Sequence, residues 1–227
     1  MKTARVGVFA VMIACVLTLS GCSTLDRIIG ADDWKDWTPD TTSIRVHADG
    51  SLTETIFDTL DKSWYQGNEL QDMIARSMNE YNESHTPGAV NVRSYTDEGG
   101  RVKVVIYYRT DDDFARYNNV QFCCGSMLDA QMKGYRLEGL YQEADGSKLK
   151  DDALEASVPL SHKEYDVVIS DGTHVVQVPG EIRYVTQGAR LVNSHVAMAP
   201  DEAGESDRNL SLIIIYEKDS EYIPESE

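Results

Sequence analysis

The residues able to do chemistry in this 227-residue chain are few and scattered. Its five histidines, His47, His85, His162, His174 and His195, stand singly, with no His-Glu-x-x-His pair and no cysteine at ligand spacing, so no zinc site is written in the sequence. The acidic runs Asp111-Asp112-Asp113 and Asp201 to Asp207 could gather calcium, yet neither fits a twelve-residue calcium loop. Laying Asp145-Gly146 on such a loop puts Tyr141 at the first ligand position, which rules it out. Solvated faces and helix starts explain these acids better. Ser147-Lys148-Leu149-Lys150 has the Ser-x-x-Lys spacing of penicillin-binding enzymes, but it lies beside a turn and has no Lys-Thr-Gly partner. No nucleophile elbow, phosphate loop or dinucleotide fingerprint occurs. The sequence therefore assigns no catalytic residue, no cofactor-binding residue and no metal ligand. Paired carboxylates for glycoside hydrolysis stay open, because 38 acids offer many pairs and only their separation in space decides.

Four cysteines are the remaining candidates. Cys123 and Cys124 are neighbours, and adjacent Cα atoms lie about 3.8 Å apart, below the ~4.4 Å at which disulfides begin. A bond between them would be a strained redox element, whereas two thiols in Gln121-Phe122-Cys123-Cys124-Gly125 would be small core hydrophobes, the preferred reading. Cys15 lies within the apolar run Val6 to Leu19, which follows Lys2 and Arg5 and ends in Leu19-Ser20-Gly21-Cys22.

That order is the layout of a cleaved export signal. The run falls short of the roughly 20 apolar residues a spanning helix needs. Its closing tetrapeptide resembles the lipobox of bacterial lipoproteins, and the resemblance implies a diacylglycerol thioether on Cys22, which becomes the first residue of the mature chain. Lipidation at Cys22 would tether the protein to the outer face of the cytoplasmic membrane, or to the outer membrane in a Gram-negative source. Two acyl chains hold durably where one does not.

Charge narrows the partners. The chain carries 38 Asp and Glu against 21 Lys and Arg, a net −17, and loss of Lys2 and Arg5 with residues 1–21 takes the balance two charges further, to −19. Nucleic acid is excluded, since phosphate binding needs a basic surface, and flat docking on anionic lipid is disfavoured. A hydrophobic fraction of 41% is that of a folded body.

Residues 22–42 read as a polar tether in which Trp34 and Trp37 either meet the membrane interface or cover the edge of the body. Asp49-Gly50 between alternating runs predicts a two-residue hairpin turn that pairs Ala48 with Ser51 and Arg45 with Glu54. An apolar stripe Leu70, Met73, Ile74, Met78, Tyr81 behind an Asn68 cap predicts one long amphipathic helix. A second hairpin spans Ala89 to Arg109, its return strand continuous enough to be covered on both faces. Short capped helices follow at Thr110 and Ser126, and the chain from Tyr135 is β-rich with a buried closing strand at Leu210 to Tyr216. The expected organisation is a signal peptide over 1–21, a tether over 22–42, an α+β domain over 43–144, a β-rich half over 145–218 that can belong to the same domain, and an acidic tail over 219–227. The expected fold class is α+β: antiparallel hairpins packed with one long amphipathic helix and short helices, followed by a β-rich C-terminal half.

Between residues 41 and 140, the spacing of the Asp-Gly hairpin, the acidic amphipathic helix, the Val-rich hairpin and the segment Asp113-Phe114-Ala115-Arg116-Tyr117 to Gly125-Ser126-Met127-Leu128 is similar to a group of uncharacterised lipoproteins of Gram-positive anaerobes. Val178 to Val185 matches more weakly, and no activity comes with the resemblance. The functional expectation is a non-catalytic envelope lipoprotein that binds an envelope protein or a cell-wall component. An extracytoplasmic hydrolase with paired carboxylates, or a structural subunit of an envelope complex, is the alternative.

Overall fold

The computed structural model describes residues 37–60, 67–162, 164–171, 175–199 and 212–218. Cys22, Trp34, His174, the run Asp201 to Asp207 and the tail from residue 219 lie outside the described residues.

The described chain is mostly β. Its strands are β1 (Ser43–Val46), β2 (Leu52–Thr59), β3 (Val90–Glu98), β4 (Arg101–Tyr108), β5 (Phe122–Ser126), β6 (Leu140–Asp145) and β7 (Lys148–Glu155), then β8 (Asp166–Ser170), β9 (Val175–Gln177), β10 (Gly180–Thr186), β11 (Arg190–Asn193), β12 (Val196–Met198) and β13 (Leu212–Lys218). Seven of them form one sheet in the order β11-β12-β9-β1-β2-β4-β3 and six form the other, β5-β8-β13-β10-β6-β7. β1 and β9 run parallel; the other described pairs are antiparallel. Each sheet takes strands from both 43–144 and 145–218.

This overturns the α+β expectation. Helix α1 (Gly67–Ser84) buries only Ile74 and Met78 and lies against the edge strand β3, so no long amphipathic helix organises the body. Helices α2 (Asp111–Asn118) and α3 (Met127–Met132) span only about two turns each. The apolar surface is instead satisfied by sheet against sheet, a pairing between distant strands that a local helical stripe does not reveal.

The layers follow from side-chain alternation. Ile44, Leu52, Val104, Ile106 and Tyr108 of the seven-stranded sheet meet Val168, Ile182, Leu212, Ile214 and Tyr216 of the six-stranded sheet in one core. The opposite face of the six-stranded sheet, with Tyr141, Val167, Ile169, Ile213 and Ile215, is covered by Met127 and Ala130 of α3 and by Leu137. Burial on both faces is why β8 and β13 read as unbroken apolar runs. A bulge in β10 between Ile182 and Tyr184 sends Tyr184 to the outer core and Val185 to the inner one.

β4 differs from its expected central, doubly covered position. Its burial alternates, with Val102, Val104, Ile106 and Tyr108 inward and Lys103, Val105 and Tyr107 only half-buried on the outside, so only its inner face is fully covered.

Candidate ligand-binding face

The first hairpin decides what points outward. Its observed register pairs Ile44 with Glu54 and Arg45 with Thr53, one residue away from the expected Arg45–Glu54 pair. The loop has three residues, Ala48-Asp49-Gly50: His47 closes it by accepting from the Gly50 N–H at 3.0 Å and donating to Ser51 O at 2.9 Å, and only Gly50 has positive φ, at 83°. A slip of one residue exchanges the two faces. Arg45, His47, Thr53 and Thr55 therefore share the outer face of the seven-stranded sheet, and Glu54 enters the core.

On that outer face Trp37 is buried against Val175 and Val196. Of the two roles open to this indole, covering the body is the one it has. Arg45 fastens the segment down, its Nη2 donating to Trp37 O at 3.1 Å and its Nε donating to Gln177 Oε1. Between Trp37-Thr38-Pro39 and the hairpin lies a groove of about 210 Å³, lined also by Ser43, Arg45, His47, Thr53 and Thr55. His47 Nε2 and Thr53 Oγ1 are 2.8 Å apart, and burial together with the nearby Arg45 holds the imidazole below its ordinary pKa, so it is neutral at pH 7. That spacing is one at which a hydroxyl could be activated, but no carboxylate hydrogen-bonds the other ring nitrogen and none lines the groove among the described residues. The groove's polar lining is hydroxyls, the His47 imidazole and the Arg45 guanidinium.

Beyond the groove the face continues over β2, β4 and β3, where Arg93, Ser94, Thr96 and Arg101 are exposed. A bulge between Val92 and Ser94 turns Arg93 outward, its guanidinium 4.7 Å from the centre of the Tyr107 ring. Lys103 lies over Phe57 at 5.4 Å. Arg101 opens the same row, opposite Glu98. Sequence reading missed this face. The alternation Arg101-x-Lys103-x-Val105-x-Tyr107 is its signal, masked by the apolar residues that fill both faces of β4 after Lys103.

The sequence-flagged residues do not converge. Asp111, Asp112 and Asp113 open α2 behind a Thr110 cap whose hydroxyl accepts from the Asp113 N–H at 3.1 Å. Lys133 Nζ binds Asp111 at 2.7 Å and Asp112 at 3.1 Å. Lys150 pairs with Glu143 at 2.6 Å. His85 stacks on Tyr81 and His162 on Tyr165. Among the described residues no group of three or more His, Cys, Asp or Glu could hold a metal.

Cys123 and Cys124 are free thiols in β5. Burial and the neighbouring Asp111 push Cys123 up to about 12, and the same causes raise Cys124. Thiolate is what reacts. Iodoacetamide at pH 8 is therefore expected to leave both residues unmodified in the folded protein and to modify both in denaturant, as read by peptide mass; labelling in the native state would instead reveal a reactive thiolate.

No protein-family model, curated protein or solved structure matches this chain.

Proposed function

We propose that this chain is a lipid-anchored extracytoplasmic protein that binds a component of the cell envelope without acting on it chemically, through the outer face of its seven-stranded sheet. The observation that carries the reading is charge segregation: a chain with a net −17 places Arg45, Arg93, Arg101 and Lys103 on one sheet face. Opposite charges on partners steer and orient such encounters.

The address rests on Leu19-Ser20-Gly21-Cys22 and the export signal before it. No helix of the described residues is long and apolar enough to cross a membrane; in this reading the lipid on Cys22 supplies the attachment. The hydrolase alternative draws no support from the groove, whose lining holds no carboxylate, and the buried Glu54 is bonded into the core.

Cys22→Ala tests the anchor. Expressed in its own cells, the variant is expected either to leave the membrane fraction or to accumulate as a precursor retaining residues 1–21; a mature mass and membrane partition equal to those of the parent protein would refute lipidation. The binding role is tested separately, by retention of the protein on a washed, delipidated envelope fraction.

A further inference from the structure

We propose that the open part of this face, along β4 and β3, binds an anionic carbohydrate polymer: an extended chain of hydroxylated units that carries carboxylate or phosphate groups. The proposal rests on the binding role above and names its ligand.

Charge complementarity is the first argument. Among the described outward-facing residues of β1 to β4 there are four cations, Arg45, Arg93, Arg101 and Lys103, against one carboxylate, Glu98. In a chain where acids outnumber bases by 38 to 21, that balance is reversed locally. Arg93, Arg101 and Lys103 form no ion pair among the described residues.

Placement is the second. Arg101 and Lys103 are two positions apart on one strand, hence about 7 Å apart at the backbone, and Arg93 lies further along the same line over Tyr107. A line of cations suits an extended chain more than a compact ion. The aromatic rings beneath Arg93 and Lys103 hold these long side chains in place, so less conformational freedom is lost on binding. Exposed hydroxyls of Ser94 and Thr96 lie on the same face as these cations, which fits a ligand that has hydroxyls beside its charges.

A lipid surface fits less well. Interfacial docking adds buried apolar area to electrostatic attraction, and the exposed large apolar residues, Val92, Leu128, Met132, Leu140 and Val158, are not outward-facing on these strands.

The test uses the intact lipidated protein, anchored in phosphatidylcholine vesicles, with fluorescent polygalacturonate, poly(glycerol phosphate) and neutral dextran as probes. At least one of the two anionic polymers is expected to bind, with affinity falling as salt rises, while dextran does not. The double variant R93Q/K103Q, shown to fold by an unchanged melting temperature, should bind about tenfold more weakly, which is ~1.4 kcal/mol. Equal binding by the variant, dextran binding as strongly as the anionic polymers, or no polymer binding would overturn the proposal. So would adding phosphatidylglycerol to the vesicles if that alone abolished polymer binding, because the face would then be a membrane-docking surface. Retention on the washed envelope fraction separates the two readings. If parent and variant are retained equally, the binding role stands and this ligand site falls; if the parent is not retained, both fall.

Discussion

Replacing Glu54 with glutamine is expected to stabilise the protein above neutral pH and to change it little in mild acid. The carboxyl is 5% exposed and accepts from the Tyr108 hydroxyl at 2.6 Å, while Asn118 Nδ2 donates to that same hydroxyl at 3.1 Å. Burial raises its pKa from 4.5 to about 7, against the opposing effect of hydrogen bonds from Tyr108 and Asn118. The folded state thus holds this proton more tightly than the unfolded chain does. The stabilisation is fully present below pH 4.5, declines as pH rises, and is gone above about 7. At 1.36 kcal/mol per unit the loss over that window is about 3 kcal/mol. Glutamine keeps an acceptor for Tyr108 and cannot ionise. Urea denaturation at about pH 5 and about pH 8 should therefore show the variant gaining on the parent by ~2 to 3 kcal/mol between the two. A gap that does not move with pH would mean that Glu54 titrates no differently in the fold.

Asp111→Ala should be the most damaging change at the start of α2. Its carboxylate is buried, accepts from the Cys124 N–H at 3.1 Å and pairs with Lys133 at 2.7 Å, so one side chain joins α2, β5 and the end of α3. Burial pulls the Lys133 ammonium down, but hydrogen bonding and attraction to Asp111 outweigh it and raise its pKa. Truncation strands a backbone donor and removes the nearer of two carboxylates from the ammonium. Lys133 is about one-third exposed and keeps Asp112 at 3.1 Å, which limits the cost. The expected loss is about 2 to 4 kcal/mol. Asp111→Asn, which retains an acceptor for Cys124, should lose roughly half as much. Equal losses in the two variants would show that charge, and not the bond to the strand, is what matters.

What could be read from sequence divides by distance along the chain. Thr110 and Ser126 declare their helices because a cap is made by neighbouring residues, and each hydroxyl accepts an N–H three positions on. The apolar runs in β8 and β13 declare burial on two faces. Asp49-Gly50 declares a turn but not its length, since a two-residue and a three-residue loop use the same pair. That single ambiguity moved Glu54 from an expected surface pair with Arg45 into the core beside Tyr108. It also hid the outer face, whose members are brought together only by the pairing of β1, β2, β4 and β3. The fold class failed for the same reason, because a periodic helix is visible locally and a sheet assembled from distant strands is not. Trp37 is a case between these: the sequence allowed two surroundings for the indole, and only the position of β9 and β12 selects one.

The parallel pairing of β1 with β9 has a consequence for how the molecule assembles. The partners are 132 positions apart, as in Arg45 and Gln177. During synthesis the amino-terminal strands emerge first and can form their hairpin with β2, but one edge of β1 has no partner until Val175 to Gln177 arrive. An unpaired edge is a template for association with other chains, and closing so long a loop slows folding. Chains that stop before β9 therefore keep β1 as a free, aggregation-prone edge, and completion of the carboxy-terminal strands is the step that makes the molecule safe.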